Sequence, residues 1–180
     1  REEGATQESA VLPLEEGRGF HCLPAPDPAD LYFDMEGDPF FGDGLEYLFG
    51  VWGPLGDGEP SFRGLWAHNE AEEKAAFEQL IDMLAAHIER HPNAHIYHYA
   101  RYEPNALKRL AMRYATRELL LDDMLRERRF VDLLTVVRQG LRAGRASRPA
   151  VRRQRDLVYR GAGVAEGARA PRRDRRRLYR

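Results

Sequence analysis

The hydrophobic pattern changes its period near residue 69, and this change favours a fold in which a strand meander precedes a helix. Residues 31–36, 46–52 and 62–67 are apolar, rich in aromatic side chains and partly alternating, which predicts three strands. Short segments rich in Gly and Pro separate them, so we expect an antiparallel meander. A helical period follows: Asn69 suits an N-cap, and Glu72 stands three residues later as in a capping box. Its apolar stripe comprises Phe77, Leu80, Ile81, Leu84 and Ile88.

Beyond this helix the pattern predicts one more strand and further helices. Residues 95–99 form the strand, and Pro104 opens a helix whose inner face is Leu107, Leu110, Ala111 and Tyr114. Residues 119–125 and 130–141 are predicted to be helical. The order β-β-β-α-β-α-α predicts an α/β fold with a mixed sheet, a domain over residues 30–141 and a linker or entry arm over residues 1–29.

Charge is divided unevenly along the chain. Residues 142–180 hold fourteen Arg, no Lys and three acids, a net charge of +11, whereas residues 1–141 carry a net charge of −12. One interpretation of this tail is a basic arm that binds nucleic acid. The interpretation we favour is a disordered or out-of-frame end, because its apolar content is mainly alanine and its basic residues are all Arg.

Other features exclude several classes of protein. The single cysteine, Cys22, cannot form an intramolecular disulfide, and no segment has the pattern of a signal peptide or membrane span. We therefore expect a cytoplasmic protein with no membrane partner. The phosphate-binding loop of ATPases, with its Gly-Lys-Ser/Thr ending, does not occur in the sequence, so ATP hydrolysis is not expected.

Asp34 and Glu36 are the first candidate functional residues. They lie two apart on a predicted strand, so both carboxylates point to one face, while Phe33 and Met35 point to the core. Carboxylates clustered in this way are what Mg²⁺ or Mn²⁺ requires in phosphodiester hydrolysis. Taken alone, such a pair on a surface strand is more often just a solvated edge.

A second cluster lies at residues 97–103, where the fourth strand runs into a helix. Glu103 directly precedes Pro104, a position at which the helix N-terminus favours a carboxylate whatever its function. His98 and the neighbouring tyrosines are equally consistent with partly buried strand residues. A zinc site at His95 and His98 is disfavoured, because Cys22 is far away in the sequence.

Several of these segments together resemble a known family. Residues 32–39, 46–50, 96–104, 129–133 and 137–141, in this order, are similar to the YprB-type RNase H-like domain of predicted RecB-family nucleases, within the DEDD exonuclease group. The resemblance covers about residues 10–145. It implies an RNase H-like fold whose C-terminal part is missing or frameshifted after about residue 142.

The resemblance also implies a site and an activity. Asp34, Glu36 and Glu103 would be the catalytic metal ligands, Asp132 an N-cap or supporting residue, and His98 and Tyr102 further supporting residues. The activity would be 3'–5' exonuclease-like hydrolysis of DNA or RNA with two Mg²⁺ or Mn²⁺ ions, beside RecB-like nuclease or helicase modules of the same polypeptide.

The chain departs from this group at its last acidic motif. Asp156 and Asp174 are the only aspartates in the tail, and their surroundings differ from the motif, so the second ion is in question and weak or no activity is expected. The alternatives are a nucleic-acid-binding module without catalysis and an inactive gene fragment.

Overall fold

The computed structural model describes residues 9–55 and 58–143. The strands are β1 (Ser9–Val11), β2 (Leu31–Asp38), β3 (Leu45–Gly53), β4 (Ser61–Trp66), β5 (Ile96–His98), β6 (Phe130–Asp132) and β7 (Leu141–Ala143). The helices are α1 (Glu70–Arg90), α2 (Tyr102–Tyr114), α3 (Glu118–Arg126) and α4 (Leu133–Gly140), and a 3₁₀ turn spans Gly19–Cys22.

A five-stranded mixed sheet organises these elements in the order β4-β3-β2-β5-β6. The strands β2, β3 and β4 pair antiparallel, whereas β5 runs parallel to both β2 and β6. The predicted meander and the α/β class are therefore confirmed, and the fold is consistent with an RNase H-like domain.

One face of the sheet is packed beneath helices and forms the core. Leu31, Phe33 and Met35 of β2 are buried, as are Phe49 and Val51 of β3, and they join the apolar stripe of α1 in one cluster. We call this the inner face. The period of two along β2 leaves Tyr32 and Asp34 exposed on the opposite, outer face, as the sequence predicts.

The start of α1 follows the predicted capping chemistry. The side chain of Asn69 accepts a hydrogen bond from the backbone N–H of Glu72 at 3.0 Å. The carboxylate of Glu72 accepts from the backbone N–H of His68 at 2.9 Å, one residue earlier than an ideal capping box. The helix therefore begins where the sequence predicts.

The prediction of one helix over residues 130–141 is wrong at its beginning. Phe130, Val131 and Asp132 form β6, which pairs in parallel with β5, and α4 begins at Leu133. A strand of three residues is too short to show alternation, and it runs into a helix without a Gly or Pro between them. Its partner strand, β5, supplies the hydrogen bonds that stabilise it.

Part of the predicted linker is structured. Ser9–Val11 pairs antiparallel with Leu141–Ala143, and the backbone N–H of Leu12 donates to the carbonyl of Gly140 at 2.8 Å. Gly19 has a φ of +58°, and a Cβ built on it would meet Gly140 Cα at 2.9 Å. The backbone of the arm at Gly19 therefore packs directly against the backbone of α4 at Gly140, with no room for a side chain at Gly19. The limits of the domain stay a prediction.

Some predictions concern residues outside the described ranges. They include the character of residues 144–180, with Asp156 and Asp174, and that of residues 1–8 in the entry arm. Within residues 9–55 and 58–143, no helix combines the length and apolar character needed to cross a bilayer.

Candidate active site

Asp34 and Glu103 meet where β2 passes the beginning of α2. Because β5 runs parallel to β2 and ends at His98, the chain turns and brings Glu103, in the first turn of α2, beside Asp34. Burial, followed by the charge and hydrogen-bonding proximity of Glu103, raises the pKa of Asp34 despite a 3.0 Å hydrogen bond from the backbone N–H of Met35. Two carboxyl groups that are distant in the sequence therefore lie near each other in the fold.

Glu103 is 3% exposed, and His98 is a second neighbour of its carboxylate besides Asp34. His98 Nδ1 lies 3.4 Å from Glu103 Oε2, and both side chains are buried. Neither of these two atoms has a hydrogen-bond partner among the described residues. Buried carboxylate oxygens are seldom left in this state, so Glu103 has capacity for a further ligand.

Glu36 interacts electrostatically with Asp34. It lies half-buried near the end of β2, and burial, then Asp34, then Glu46 raise its pKa. These effects relate Asp34 to Glu103 and to Glu36 in pairs, but they do not bring all three predicted metal ligands into one group. Asp34 is the member that interacts with both of the others.

Glu46 is a residue that the sequence reasoning missed. The register of β2 and β3 shifts between Glu36 and Gly37, so Leu48 pairs with Glu36 and Glu46 pairs with Gly37. This bulge reverses the parity of β3 and turns Glu46 inward, where it is 3% exposed. The only signal in the sequence is an acid inside an apolar strand.

Tyr102 and Arg109 of α2 hold Glu46. The hydroxyl of Tyr102 donates to Glu46 Oε2 at 2.9 Å, and Arg109 pairs with Oε1. Burial and then Glu46 raise the pKa of Tyr102 to about 12, which keeps this hydroxyl a donor. A Cβ at Gly37 would lie 2.4 Å from Glu46 Oε2, so only glycine leaves room for this contact.

Asp132 is the N-cap of α4, as the sequence predicts. It accepts hydrogen bonds from the backbone N–H of Leu134 at 2.9 Å and from the hydroxyl of Thr135 at 2.8 Å. It also accepts from the backbone N–H of Ala100 at 3.0 Å. Burial alone would raise the pKa of Asp132, but these bonds lower it. Both of its oxygens accept hydrogen bonds, whereas Glu103 Oε2 has no hydrogen-bond partner among the described residues.

The bond to Ala100 gives Asp132 a second effect. Ala100 has a φ of 84°, a conformation that a residue with a Cβ rarely adopts. It lies in the turn that carries the chain from β5 to Glu103. Asp132 therefore stabilises the turn that positions Glu103.

A cleft of about 650 Å³ adjoins this turn. His98, Arg101 and Asp132 line it, together with Cys22 and His95. Cys22 is therefore near the two histidines in space although remote in sequence. Arg101 contributes an exposed cation close to Glu103.

The donors available for a metal ion here are the carboxylates of Asp34, Glu36 and Glu103. Carboxylates are the correct ligand type for Mg²⁺ or Mn²⁺, and Glu103 Oε2 has no hydrogen-bond partner among the described residues. However, in residues 9–55 and 58–143 no three Asp, Glu, His or Cys side chains, Asp34, Glu36 and Glu103 included, lie close enough together to hold a metal ion as a group. The three-carboxylate site thus stays a prediction.

One comparison with known proteins, a match to a family profile, agrees with this fold. No curated protein and no solved structure matches the chain significantly. The sequence profile of the RNase H superfamily matches residues 31–159, well over half of the chain and beyond the last described residue. This chain belongs to the RNase H superfamily.

Proposed function

We propose that this domain hydrolyses phosphodiester bonds of nucleic acid in a metal-dependent reaction, with Asp34, Glu36 and Glu103 as the carboxylates that hold the metal. The observation that carries the proposal is the buried carboxylate of Glu103, whose Oε2 has no hydrogen-bond partner among the described residues, in the vicinity of Asp34. Nuclease-like activity is what membership of the superfamily suggests in general.

The alternative is that these acids only support the fold. Like charges side by side oppose folding, and burial adds to this cost. The structural acids of this domain show the contrast, because Glu46 and Asp132 are satisfied by Tyr102, Arg109 or backbone N–H groups. Asp34 and Glu103 lack such a set of donors. Asp34 accepts one hydrogen bond from the backbone N–H of Met35. Glu103 Oε2 lies 3.4 Å from His98 Nδ1 without a hydrogen-bond partner among the described residues, a state typical of functional sites.

A divalent ion at this place would supply positive charge that offsets the charge developing on the phosphate oxygens. The chain's own residues fix the acids. The strand β2 sets the direction of Asp34 and Glu36, and Asp132 stabilises the turn before Glu103. His98 limits the movement of the Glu103 carboxylate, and the Tyr102–Glu46 contact packs behind Gly37.

Finer features of the proposal depend on the motif resemblance. The order of the motifs supports a YprB-type domain of RecB-family nucleases, a two-ion mechanism and 3'–5' exonuclease-like action on DNA or RNA. We further propose a cytoplasmic location and RecB-like nuclease or helicase modules as partners. The last acidic motif of that group has no match in the sequence, so we expect weak activity.

A second candidate function is nucleic-acid binding without catalysis. The observation that favours it is the net charge of +11 over residues 142–180. Binding by such a segment weakens steeply with salt and does not need Asp34 or Glu36. Salt dependence and metal dependence therefore separate the two candidates.

The test is metal-dependent cleavage by the full chain. End-labelled DNA and RNA oligonucleotides are incubated with Mg²⁺ or Mn²⁺ and, in parallel, with EDTA. We expect slow cleavage that needs the metal and falls at least ~100-fold in Asp34→Ala, an effect of ~3 kcal/mol. Asp123→Ala, on the exposed side of α3, is the matched control that should leave the rate unchanged.

Because the activity is expected to be weak, Mn²⁺ binding gives a second measurement. Isothermal titration should show binding to the wild type that weakens in Asp34→Ala and Glu103→Gln. Cleavage that survives both substitutions, or Mn²⁺ binding unaffected by them, would contradict the proposal.

A further inference from the structure

Four large aromatic side chains lie exposed on the outer face of the meander. They are Tyr32, Trp52, Phe62 and Trp66, exposed by 48%, 47%, 63% and 57%. Register places them together, since Tyr32 pairs with Trp52 and Trp52 pairs with Phe62. We call this group the aromatic face. Contiguous exposed apolar surface of this kind typically marks a binding surface.

Two glycines allow the ring of Phe62 to lie against the sheet. Gly50 and Gly64 are paired neighbours, and a Cβ on either would meet the Phe62 ring at 3.0 and 3.1 Å respectively. The ring therefore packs on the backbone of Gly50 and Gly64, where any other residue would place a side chain. Its other side is open to solvent, as in a platform for stacking.

The aromatic face is continuous with the candidate active site. Tyr32 is two residues before Asp34 on the same strand and face, a separation of about 6.6 Å. Gly50, beneath the Phe62 ring, is the partner of Asp34. Tyr32 also contacts Trp52 and Tyr97, with ring centroids 5.7 and 5.4 Å apart.

We propose that the aromatic face stacks the bases of a single-stranded nucleic acid and guides its backbone towards Asp34. This inference rests on the proposed function and specifies its substrate class. Every base presents an apolar ring surface, so stacking on aromatic side chains accepts any sequence. In a duplex the bases stack on each other and are not available, so the preference is for single strands.

The adjoining candidate site favours nucleic acid over a protein as the occupant, because membership of the superfamily suggests nucleic acid as the substrate and a nucleic-acid strand that reaches Asp34 lies next to these rings. An apolar protein surface placed there would remove water from the carboxylates of Asp34, which is exposed on this face, and of Glu36, which is half-buried. A nucleotide strand is hydrated and brings counterions, so it can cover the rings while the acids keep their solvent. The rings then supply affinity that needs no bound metal.

The chain's own fluorescence can test this proposal. The sequence has two tryptophans, Trp52 and Trp66, and both lie on the aromatic face. The full chain is titrated in EDTA with oligo(dT), oligo(U) and a blunt DNA duplex, and tryptophan emission is recorded. We expect quenching by the single strands and at least ~10-fold weaker binding of the duplex.

Substitutions define which side chains bind. Phe62→Ala and Trp52→Ala should each weaken single-strand binding about 5- to 100-fold. Phe62→Leu keeps apolar area but removes the ring, so it should weaken binding similarly while folding normally by circular dichroism. Leu119→Ala, exposed on α3 far from this face, is the matched control.

Other outcomes would overturn the proposal. Equal affinity of Phe62→Leu and wild type would exclude stacking. Blue-shifted tryptophan emission that resists acrylamide in the free protein would mean that this face is covered, either by residues of the same chain or, if the mass depends on concentration, by a second copy.

The outcome is separable from that of the proposed function. Asp34→Ala should keep single-strand binding in EDTA while losing cleavage. If the wild type binds single strands through these rings but never cleaves, hydrolysis fails and stacking stands. If it cleaves without any effect of Phe62→Leu on binding, stacking alone fails.

Discussion

The two faces of the same sheet differ in what their residues do. On the inner face Phe33, Met35 and Phe49 are packed beneath helices, whereas on the outer face Tyr32, Asp34 and Trp52 remain accessible. Both sets come from the same two strands, because alternate residues point in opposite directions. The strands β2 and β3 thus supply packed side chains to the core on one face and carry the candidate site on the other.

The strongest test of this division compares two phenylalanines. Phe49→Ala removes a fully buried side chain from the inner face and should lower the free energy of unfolding by about 3–5 kcal/mol. Phe62→Ala on the outer face should lower it by less than about 1 kcal/mol. Urea denaturation followed by circular dichroism measures both. Comparable losses would mean that the outer face is also part of the core.

A second test concerns the bulge between β2 and β3 that turns Glu46 to the inner face. Gly37→Ala would place a Cβ against the buried Glu46 carboxylate and the Tyr102 hydroxyl, so it should separate this hydrogen-bonded pair and cost about 1–3 kcal/mol. Gly58→Ala, whose added Cβ would meet Leu55 O at 3.9 Å, an ordinary van der Waals contact, is the control and should be nearly neutral. Thermal unfolding of the two variants provides the comparison. If Gly37→Ala is as stable as the control, the packing ascribed to Glu46 is wrong.

Asp132 offers a smaller effect that links stability to the site. Asp132→Ala removes the N-cap of α4 and the acceptor for Ala100, which should cost about 1–2 kcal/mol. Asp132→Asn keeps an acceptor oxygen and should recover most of this loss. Hydrogen exchange at Ala100 and in α4 would report it. Fast exchange confined to α4 would show that the turn before Glu103 does not depend on Asp132.

The smallest effect has the opposite sign. The folded state raises the pKa of Asp34 above its usual value of 3.8, so the ionised form disfavours folding at neutral pH. Asp34→Asn should therefore stabilise the domain at pH 7 by less than about 1 kcal/mol, because the group is partly solvated. The gain should vanish below the usual value, where the wild-type carboxyl is protonated in both states. Thermal melts across this pH range measure it, and destabilisation at pH 7 would contradict the assignment.

The elements that the sequence predicts correctly have strong local signals. The meander shows aromatic-rich segments between turns, and α1 combines the Asn69 cap with a long apolar stripe. The convergence of Asp34 and Glu36 on one face follows from the same period. Where the pattern repeats over many residues, sequence reasoning positions both the core and the first acids.

The rest depends on contacts that no local pattern records. The three residues of β6 form a strand only because β5 lies beside them. Glu46 is turned inward by a register shift with β2, so its alternation in the sequence indicates the wrong face. The proximity of Glu103 to Asp34 is set by the turn at Ala100, which a strained conformation and Asp132 define together.

The pairing of Ser9–Val11 with Leu141–Ala143 has a consequence for folding kinetics. These two segments are separated by the whole sheet, so closing them is entropically the most expensive step in assembling the described residues. We expect this ribbon to form after the core and to open before it. Proteolytic cleavage within the entry arm should then destabilise α4 selectively. Amide hydrogen exchange in α4 would measure the stability that the pairing of β1 with β7 provides.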